Sequence, residues 1–348
     1  MTELTPPKTI FLTGASGFIA KHICLKALSD GHTVVGSVRS EARAEETRRA
    51  MAANLADATD LTDRLRFVTL DLTEDGGWDE TMHGADTLIH TASPVPLEQP
   101  KDARVLVETA VGGTRRALKA ASAAGIDRVV LTSSNAAIMN SKLPVGRTEY
   151  NESDWSDVDD PAMTPYAMSK TLAERAAWSF VEREAQGMAL TTINPAFVLG
   201  PLLDDHLSAS IKVVQRLLRA KDPALPDISF SCVDVRDIAD MHVRALSCPE
   251  TAGQRIVGAD RPLSIVEMAK ILAAAFPDRK IVTRQAPNWL VRIIALFDRP
   301  VRSIVPNLGR RDALSNRRAK EMLGMQFIDV AESLRRSATS LLERGIVD

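Results

Sequence analysis

The chain has 348 residues, of which 45% are apolar and 25% are charged, and its formal net charge is −2. A chain of this length can bury a full core, which suits an enzyme better than a peptide-sized module. The balanced charge gives no electrostatic reason to expect a nucleic acid or an anionic membrane as partner. No stretch approaches the roughly 18 apolar residues of a membrane span, and residues 1–8 lack the order of a signal peptide. We therefore expect a cytoplasmic protein.

The cysteines and histidines indicate neither a redox pair nor a metal site. Cys24, Cys232 and Cys248 are widely spaced and form no C-x-x-C pair, so we interpret them as reduced packing residues. The six histidines form no H-E-x-x-H or similar pattern. No metal is expected.

The predicted elements alternate between strand and helix through the first half of the chain. Short β-branched runs predict strands at residues 9–13, 33–38, 66–70, 87–91, 128–132 and 190–194. A Thr–Pro pair opens a predicted helix over 164–186, and one more strand–helix unit is predicted at 230–246. This βαβ rhythm predicts an α/β fold, a Rossmann-type doubly wound parallel sheet with a smaller C-terminal substrate-binding lobe. From about residue 196, prolines interrupt the remaining helical pieces.

A glycine-rich turn, T-G-A-S-G-F-I-A at residues 13–20, follows the first predicted strand and opens a helix. Gly14 allows a tight turn, Gly17 lets the backbone approach a pyrophosphate, and Ala20 lets helix and strand pack closely. Phosphates would lie at the helix N-terminus, where N–H groups and the dipole favour negative charge. Because strand, turn, helix and next strand follow in order, the pattern predicts dinucleotide binding. The expected cofactor contacts are Thr13, Gly14, Ser16, Gly17, Phe18 and Ile19.

The end of the second strand indicates which dinucleotide is bound. About twenty residues past the turn, an NAD enzyme usually offers Asp or Glu to the ribose hydroxyls. This chain has Arg39 there, in the run S-V-R-S. The arginine fork matches a phosphate, so Arg39 predicts NADP(H). A solvent-facing arginine at a strand end is the alternative.

Tyr166 and Lys170 are four residues apart on the predicted helix. A phenol with a pKa of roughly 10 is a poor acid–base catalyst near neutrality. The two Cβ atoms would lie about 5–6 Å apart, close enough for the ammonium to lower the phenol pKa. Ser133 and Ser134 follow the strand at 128–132, at the sheet edge where ligands of such folds bind. This assembly could hold a carbonyl oxygen between two hydroxyls while a hydride reaches the carbon.

Together these motifs resemble the extended short-chain dehydrogenase/reductases of the NAD-dependent epimerase/dehydratase superfamily. The further matches are D-L at 71–72, H-T-A-S-P at 90–94, T-S-S at 132–134, Y-A-M-S-K at 166–170 and I-N-P-A-F-V-L-G-P at 193–201. The chain is most similar to the dihydroflavonol reductase-like and aldehyde or ketone reductase branch. The match spans about residues 10–246, and the segment beyond Gly258 matches only in general style.

The resemblance implies roles for the matching residues. Tyr166 would donate the proton, and Lys170 would adjust the pKa of Tyr166 and hold the nicotinamide ribose. Ser134 would hydrogen-bond the substrate oxygen, and Ser133 is the less favoured candidate for that role. Asp71 and Leu72 would flank the adenine. The cofactor would also contact Thr91, Ala92, Ser93, Pro195, Val198 and Ser210. Asn135 departs from the small residue that many relatives carry at this position.

The expected function is NADPH-dependent reduction of a small aldehyde or ketone, or the reverse alcohol oxidation, by a monomer or homodimer. An NADP-binding domain is predicted at residues 8–195 plus about 228–258, and a substrate-binding lobe at 196–227 plus 259–348. Three alternatives remain open. They are a sugar-nucleotide epimerase or dehydratase using NAD, a 3β-hydroxysteroid dehydrogenase-like enzyme, and a non-catalytic protein that senses NADP.

Overall fold

The computed structural model of the chain describes residues 6–94 and 102–347, so the signal-peptide prediction concerns a segment largely outside them. The strands are β1 Thr9–Thr13, β2 Thr33–Val38, β3 Leu65–Thr69, β4 Thr87–His90, β5 Arg128–Thr132, β6 Glu149–Tyr150, β7 Ala189–Pro195, β8 Phe197–Leu199, β9 Ser229–Asp234, β10 Gln254–Gly258, β11 Arg261–Ser264 and β12 Ala313–Leu314. The helices are α1 Phe18–Ser29, α2 Glu41–Asn54, α3 Leu61–Arg64, α4 Trp78–Thr81, α5 Ala103–Ala123, α6 Pro165–Glu184, α7 Ala209–Leu218, α8 Val235–Ser247, α9 Ile265–Ala275, α10 Asn288–Ile294, α11 Arg299–Ile304, α12 Arg317–Leu323 and α13 Val330–Glu343.

Seven strands form one sheet in the order β10-β7-β5-β4-β1-β2-β3. Every neighbouring pair in it is parallel. Helices α5 and α6 pack together, and α1 packs on α8. Two separate hydrophobic clusters contain these two helix pairs and the strand residues beneath them. The predicted Rossmann-type doubly wound sheet is therefore confirmed.

Most predicted bounds agree closely with the structure. β1, β2 and β5 have the predicted limits, whereas β3 begins and ends one residue earlier and β4 stops at His90. Helix α6 begins at Pro165 because Thr164 is its N-cap, where the Thr164 side chain accepts the Ala167 N–H. The prediction had included Thr164 in the helix. Local pattern sufficed in this half because each strand is a short, almost entirely apolar run.

The strand–helix unit predicted at 230–246 divides between two sheets. β9 pairs with β8 and β11 in a small three-stranded sheet. Helix α8 instead packs on α1, and β10 becomes the last strand of the large sheet beside β7. A two-stranded pairing of β12 with β6 joins the C-terminal part to the segment that precedes α6. No helix within the described ranges is long and apolar enough to cross a membrane.

Candidate active site

The predicted site residues gather at one edge of the large sheet. In a parallel sheet the carboxyl ends of all strands meet at the same edge, and ligands of open α/β folds bind there. The residues that follow these ends include Gly14, Arg39, Asp71, Thr91 and Ser134. Topology therefore brings together five segments that are far apart in the sequence.

The turn after β1 requires glycine at position 14 and has glycine as the N-cap of α1. Gly14 has φ +66°, and a Cβ there would lie 3.0 Å from the Ala92 Cα atom. Gly17 is the N-cap of α1 and has no side chain with which to occupy the helix N-terminus. The leading N–H groups of a helix capped in this way can bind an anion. Ser16 and Ile19 beside them are half-buried, and Phe18 is buried.

The end of β2 is held against this turn. The Gly14 N–H donates to the Ser37 hydroxyl at 3.1 Å, and the Ala15 N–H donates to the Ser37 carbonyl at 2.9 Å. A Cβ at Gly36 would lie 2.8 Å from the Ala15 Cβ, so only glycine permits this approach. Arg39 follows directly and is exposed.

Asp71 follows β3 and lies near enough to Arg39 for the two charges to interact. Hydrogen bonds from Thr73 lower the pKa of the Asp71 carboxyl, and the positive charge of Arg39 lowers it further. Leu72 is buried against Gly113 of α5, where a Cβ would lie 2.9 Å from a Leu72 methyl carbon. The predicted adenine residues thus border the same surface as Arg39.

The β4 edge is joined to β1 through the Thr13 side chain. Its hydroxyl oxygen accepts the Thr91 and Ala92 N–H groups at 3.1 Å each, and the Thr91 hydroxyl donates to the Thr13 carbonyl at 2.6 Å. Ala92 and Ser93 line a small cavity that also reaches Lys170. These contacts connect the glycine turn at residues 13–20, called the cofactor turn below, with the helix that carries Tyr166.

Helix α6 presents Tyr166, Lys170 and Glu174 at successive intervals of four residues, which places them along one face. Tyr166 is half-buried and hydrogen-bonded to the Ser134 side chain, whereas Lys170 and Glu174 are buried. The Ser134 hydroxyl also accepts the Ala136 N–H at 3.1 Å, which fixes its position after β5. The Ser134 and Tyr166 hydroxyls therefore meet at the sheet edge, and Lys170 lies one turn further along α6.

The two strand-end serines have different partners. The Ser133 hydroxyl donates to the Glu174 carboxylate at 2.5 Å, inside the buried part of the protein. Ser134 is the serine hydrogen-bonded to Tyr166. The geometry favours Ser134 over Ser133 for contact with a substrate oxygen.

Burial governs the protonation of the tyrosine and the lysine. It raises the pKa of Tyr166, and the Ser134 hydrogen bond opposes that rise only in part. It lowers the pKa of Lys170 to about 8, against the opposing charge of Glu174. The net direction for Tyr166 is opposite to the lowering expected from the spacing to Lys170, because desolvation disfavours the phenolate. Near neutral pH, Tyr166 is a protonated phenol and Lys170 is mostly an ammonium.

A buried ion pair beneath these residues was missed in the sequence. Glu174 pairs with Arg255 of β10 at 2.6 Å, and both are almost completely buried. The carboxylate also accepts hydrogen bonds from Ser133, Thr192 and the Asn194 amide. The Asn194 amide in turn donates to the Ser134 carbonyl at 3.1 Å. The spacing from Lys170 to Glu174 was a usable signal for the carboxylate, but Arg255 is 81 residues further on and has no local signature.

Arg255 also holds the segment that leads into α6. Its guanidinium donates to the carbonyls of Glu152 and Asp154 at 2.9 and 2.6 Å and lies 3.7 Å from the Trp155 ring centre. This segment follows the strand-end serines and precedes Tyr166. One cation therefore joins the last strand of the sheet, the α6 carboxylate and the segment entering the site.

The remaining predicted residues lie beyond β7. Pro195 ends β7, Val198 is a buried residue of β8, and the Ser210 hydroxyl donates to the Val198 carbonyl at 2.6 Å. Within the described ranges, no group of three or more His, Cys, Asp or Glu residues is arranged to hold a metal ion.

Comparisons with known proteins agree with this architecture. Residues 10–257 match the model of the NAD dependent epimerase/dehydratase family. The NADPH-dependent methylglyoxal reductase GRE2 of Saccharomyces cerevisiae is 29% identical, with 96% of this chain and 98% of that protein covered. The ketoreductase azaE of Aspergillus niger is 31% identical, with 97% and 98% covered. The crystal structure of yeast methylglyoxal/isovaleraldehyde reductase Gre2 complexed with NADPH has a TM-score of 0.79 and 27% identity, and covers 97% of this chain and all of that one.

The family model covers well over half of the chain, and the azaE match extends over nearly all of both proteins. The likeness to Gre2 extends this agreement from sequence to fold. This chain therefore belongs to the NAD dependent epimerase/dehydratase family, in its extended short-chain dehydrogenase/reductase branch.

Proposed function

We propose that the chain is an NADP-dependent oxidoreductase that reduces a small aldehyde or ketone with NADPH. The observation that carries the proposal is the hydrogen bond between Ser134 and Tyr166 at the carboxyl edge of the parallel sheet, with Lys170 one turn along α6. The relatives named methylglyoxal reductase and ketoreductase support the same reaction class. The physiological substrate is a separate question, which a substrate panel addresses.

The residues present fit NADP(H). Gly17, the N-cap of α1, has no side chain at the α1 N-terminus, so a pyrophosphate would bind the leading N–H groups of the helix there. Exposed Arg39 fits the 2′-phosphate, and Asp71 and Leu72 border the adenine position. Thr91 to Ser93, Pro195 and Val198 would line the nicotinamide half, and Ser210 supports this wall through the Val198 carbonyl. Bound NADPH supplies the hydride.

The protein's own part in the reaction is to orient the carbonyl and deliver a proton. Ser134 and Tyr166 would both hydrogen-bond the carbonyl oxygen, and Tyr166 would transfer its proton there as negative charge develops. The raised pKa of Tyr166 keeps the phenol protonated beforehand. The ammonium of Lys170, one turn along α6, would stabilise the tyrosinate left behind and bind the nicotinamide ribose.

We also propose the division into an NADP-binding domain at residues 8–195 plus about 228–258 and a substrate-binding lobe at 196–227 plus 259–348. The division separates the large sheet from most of the small one, although β9 pairs with strands of the lobe. Substrate choice would then depend on the lobe and on the segment that precedes α6.

The test is a panel of aldehydes, ketones and dihydroflavonols, with methylglyoxal among them, assayed with NADPH and with NADH. We expect stoichiometric oxidation of NADPH by at least one carbonyl compound. Protein that retains NAD through purification and isomerises a UDP-sugar without net redox change would contradict the proposal and favour the epimerase alternative.

A further inference from the structure

Two buried histidines next to the sheet edge have opposite hydrogen-bonding environments. His242 of α8 is fully paired, because one ring nitrogen contacts the Ile238 carbonyl at 2.7 Å and the other contacts the Thr132 hydroxyl at 2.7 Å. His90 at the end of β4 has one partner, the Thr13 hydroxyl, 2.7 Å from Nδ1. Its Nε2 is buried without a hydrogen-bond partner in the part of the chain that the structure describes.

The contacts of Thr13 determine which nitrogen of His90 carries the proton. A hydroxyl oxygen has two lone pairs and one proton. Thr13 uses both lone pairs to accept the Thr91 and Ala92 N–H groups, so its own proton points to His90 Nδ1. Burial lowers the pKa of His90 to about 3, so the ring is neutral. Its single proton is therefore on Nε2.

His90 and Lys170 line one small cavity, and Nε2 is the buried His90 atom that still lacks a partner among the described residues. The lining also includes Thr114 of α5, Ser133 and Glu174. The space accommodates about one water molecule. The Ser133 proton is donated to Glu174, so the lone pairs of the Ser133 oxygen and the Thr114 hydroxyl are available as acceptors. A cavity of this size with two donors and two acceptor oxygens matches the hydrogen-bonding capacity of one water.

We propose that His90 and Lys170 bind a single water molecule between them, and that His90 is a positioning residue which keeps this water as an acceptor for the Lys170 ammonium. The role rests on the proposed function, since it gives Lys170 the charge needed at the Tyr166 phenol. The water donates its own protons toward the Thr114 and Ser133 oxygens.

The charged groups around Lys170 set the direction of the effect. Tyr166 and Glu174 lie on its own helix, His90 of β4 lines the same cavity, and Arg255 of β10 pairs with Glu174. Glu174 is the one group here that favours the ammonium electrostatically, and burial opposes it. An acceptor that hydrogen-bonds the ammonium favours the charged form, so loss of the water lowers the pKa of Lys170.

The first test needs neither cofactor nor substrate. Nitrogen-15 NMR of histidine-labelled protein is expected to show His90 protonated on Nε2 and His242 protonated on Nδ1, because the Ile238 carbonyl can only accept. His90→Phe and His242→Phe assign the two rings by loss of signal. A high-resolution crystal structure is expected to show a water within hydrogen-bond distance of both His90 Nε2 and Lys170 Nζ. A proton on His90 Nδ1, or a cavity without such a water, overturns the proposal.

The second test is the pH dependence of turnover. His90→Phe is expected to shift the alkaline limb of kcat downward by about one pH unit, and His90→Gln, which keeps a donor near the Nε2 position, is expected to restore most of it. His242→Phe is the matched control, since it removes an equally buried ring and should leave the limb in place. Equal shifts in both Phe variants overturn the role of His90. Failure of every variant and of the parent to oxidise NADPH contradicts the proposed function instead, and the NMR result decides the water site independently.

Discussion

The cofactor turn and the proton-transfer corner lie side by side but are built in different ways. We define the proton-transfer corner as Ser134, Tyr166 and Lys170. The turn is mostly backbone and glycine within one short segment, and its neighbour β2 is held by main-chain and Ser37 contacts. The corner consists of side chains from the segment after β5 and from α6, supported by the buried Glu174 carboxylate and its partner from β10.

This difference predicts two classes of mutational effect. Changes at the turn and its neighbours should alter cofactor affinity, because these groups would bind the cofactor equally in the ground state and in the transition state. Changes in the corner should alter turnover, because the proposed proton transfer would occur there only in the transition state. Changes to its buried support should alter stability, because they leave a charge without its partner.

The largest expected effect is at Tyr166. Tyr166→Phe keeps the ring and removes the proton source, so we expect turnover to fall by about 10²- to 10⁴-fold with NADPH affinity almost unchanged. Single-turnover reduction and NADPH titration measure the two quantities. Tyr150→Phe is the control, since the Tyr150 hydroxyl donates to the Ser141 carbonyl at 2.5 Å, away from the corner. Near-normal turnover in Tyr166→Phe together with its loss in Tyr150→Phe would show that the proton donor is misassigned.

The next effect concerns the buried support. Glu174→Gln leaves the Arg255 guanidinium buried without its counter-charge, and we expect a loss of about 3–5 kcal/mol in the free energy of unfolding. Urea unfolding measures it. Glu184→Gln on the same helix breaks a half-exposed pair with Arg115 and should cost less than about 1 kcal/mol. Similar losses in the two variants would mean that the buried pair does not support the corner.

Arg39 tests the cofactor side of the comparison. A charge-assisted phosphate contact contributes roughly 1.5–3 kcal/mol, so Arg39→Ala should weaken NADPH binding by about 10- to 150-fold and leave NADH nearly unchanged. Titration with both cofactors is the measurement. Arg49→Ala, at an exposed position of α2, is the control. An equal loss for both cofactors would remove Arg39 from the 2′-phosphate site.

The smallest effect concerns His22 of α1, which links the helix after the turn to the Pro201 carbonyl at 3.0 Å. Burial lowers the pKa of His22 to about 4, so the unfolded chain takes up a proton before the folded protein does. The neutral His22 ring therefore contributes fully to the free energy of unfolding above about pH 6.5, and this contribution is lost as the pH falls toward 4. Between pH 6 and pH 5, the free energy of unfolding should depend less steeply on pH in His22→Gln than in the parent, by about 1 kcal/mol per pH unit. Urea unfolding at both values measures it, and an unchanged slope would contradict the assignment.

Prediction from sequence was most accurate where a short segment specifies its own structure. The bounds of β1, β2 and β5 follow from apolar runs between turn signals, and the start of α6 follows from its Thr–Pro pair. β9 begins within one residue of its prediction, but its pairing with β8 and β11 was not predicted, because the residue pattern of a strand does not specify which strands it pairs with. Arg255 was missed for the same reason, since a buried cation is recognisable only beside its carboxylate.

The sequence by itself determined the alternation of strands and helices in the first half of the chain, the glycine turn, the cation at the end of β2 and the spacing of Tyr166 to Lys170, because each depends on residues close together in the chain. Only the tertiary structure decided that Ser134 rather than Ser133 contacts Tyr166, that burial raises the pKa of that phenol, and that His90 shares a cavity with Lys170. Such facts depend on desolvation and on partners from distant segments, and these exist only after the sheet has assembled.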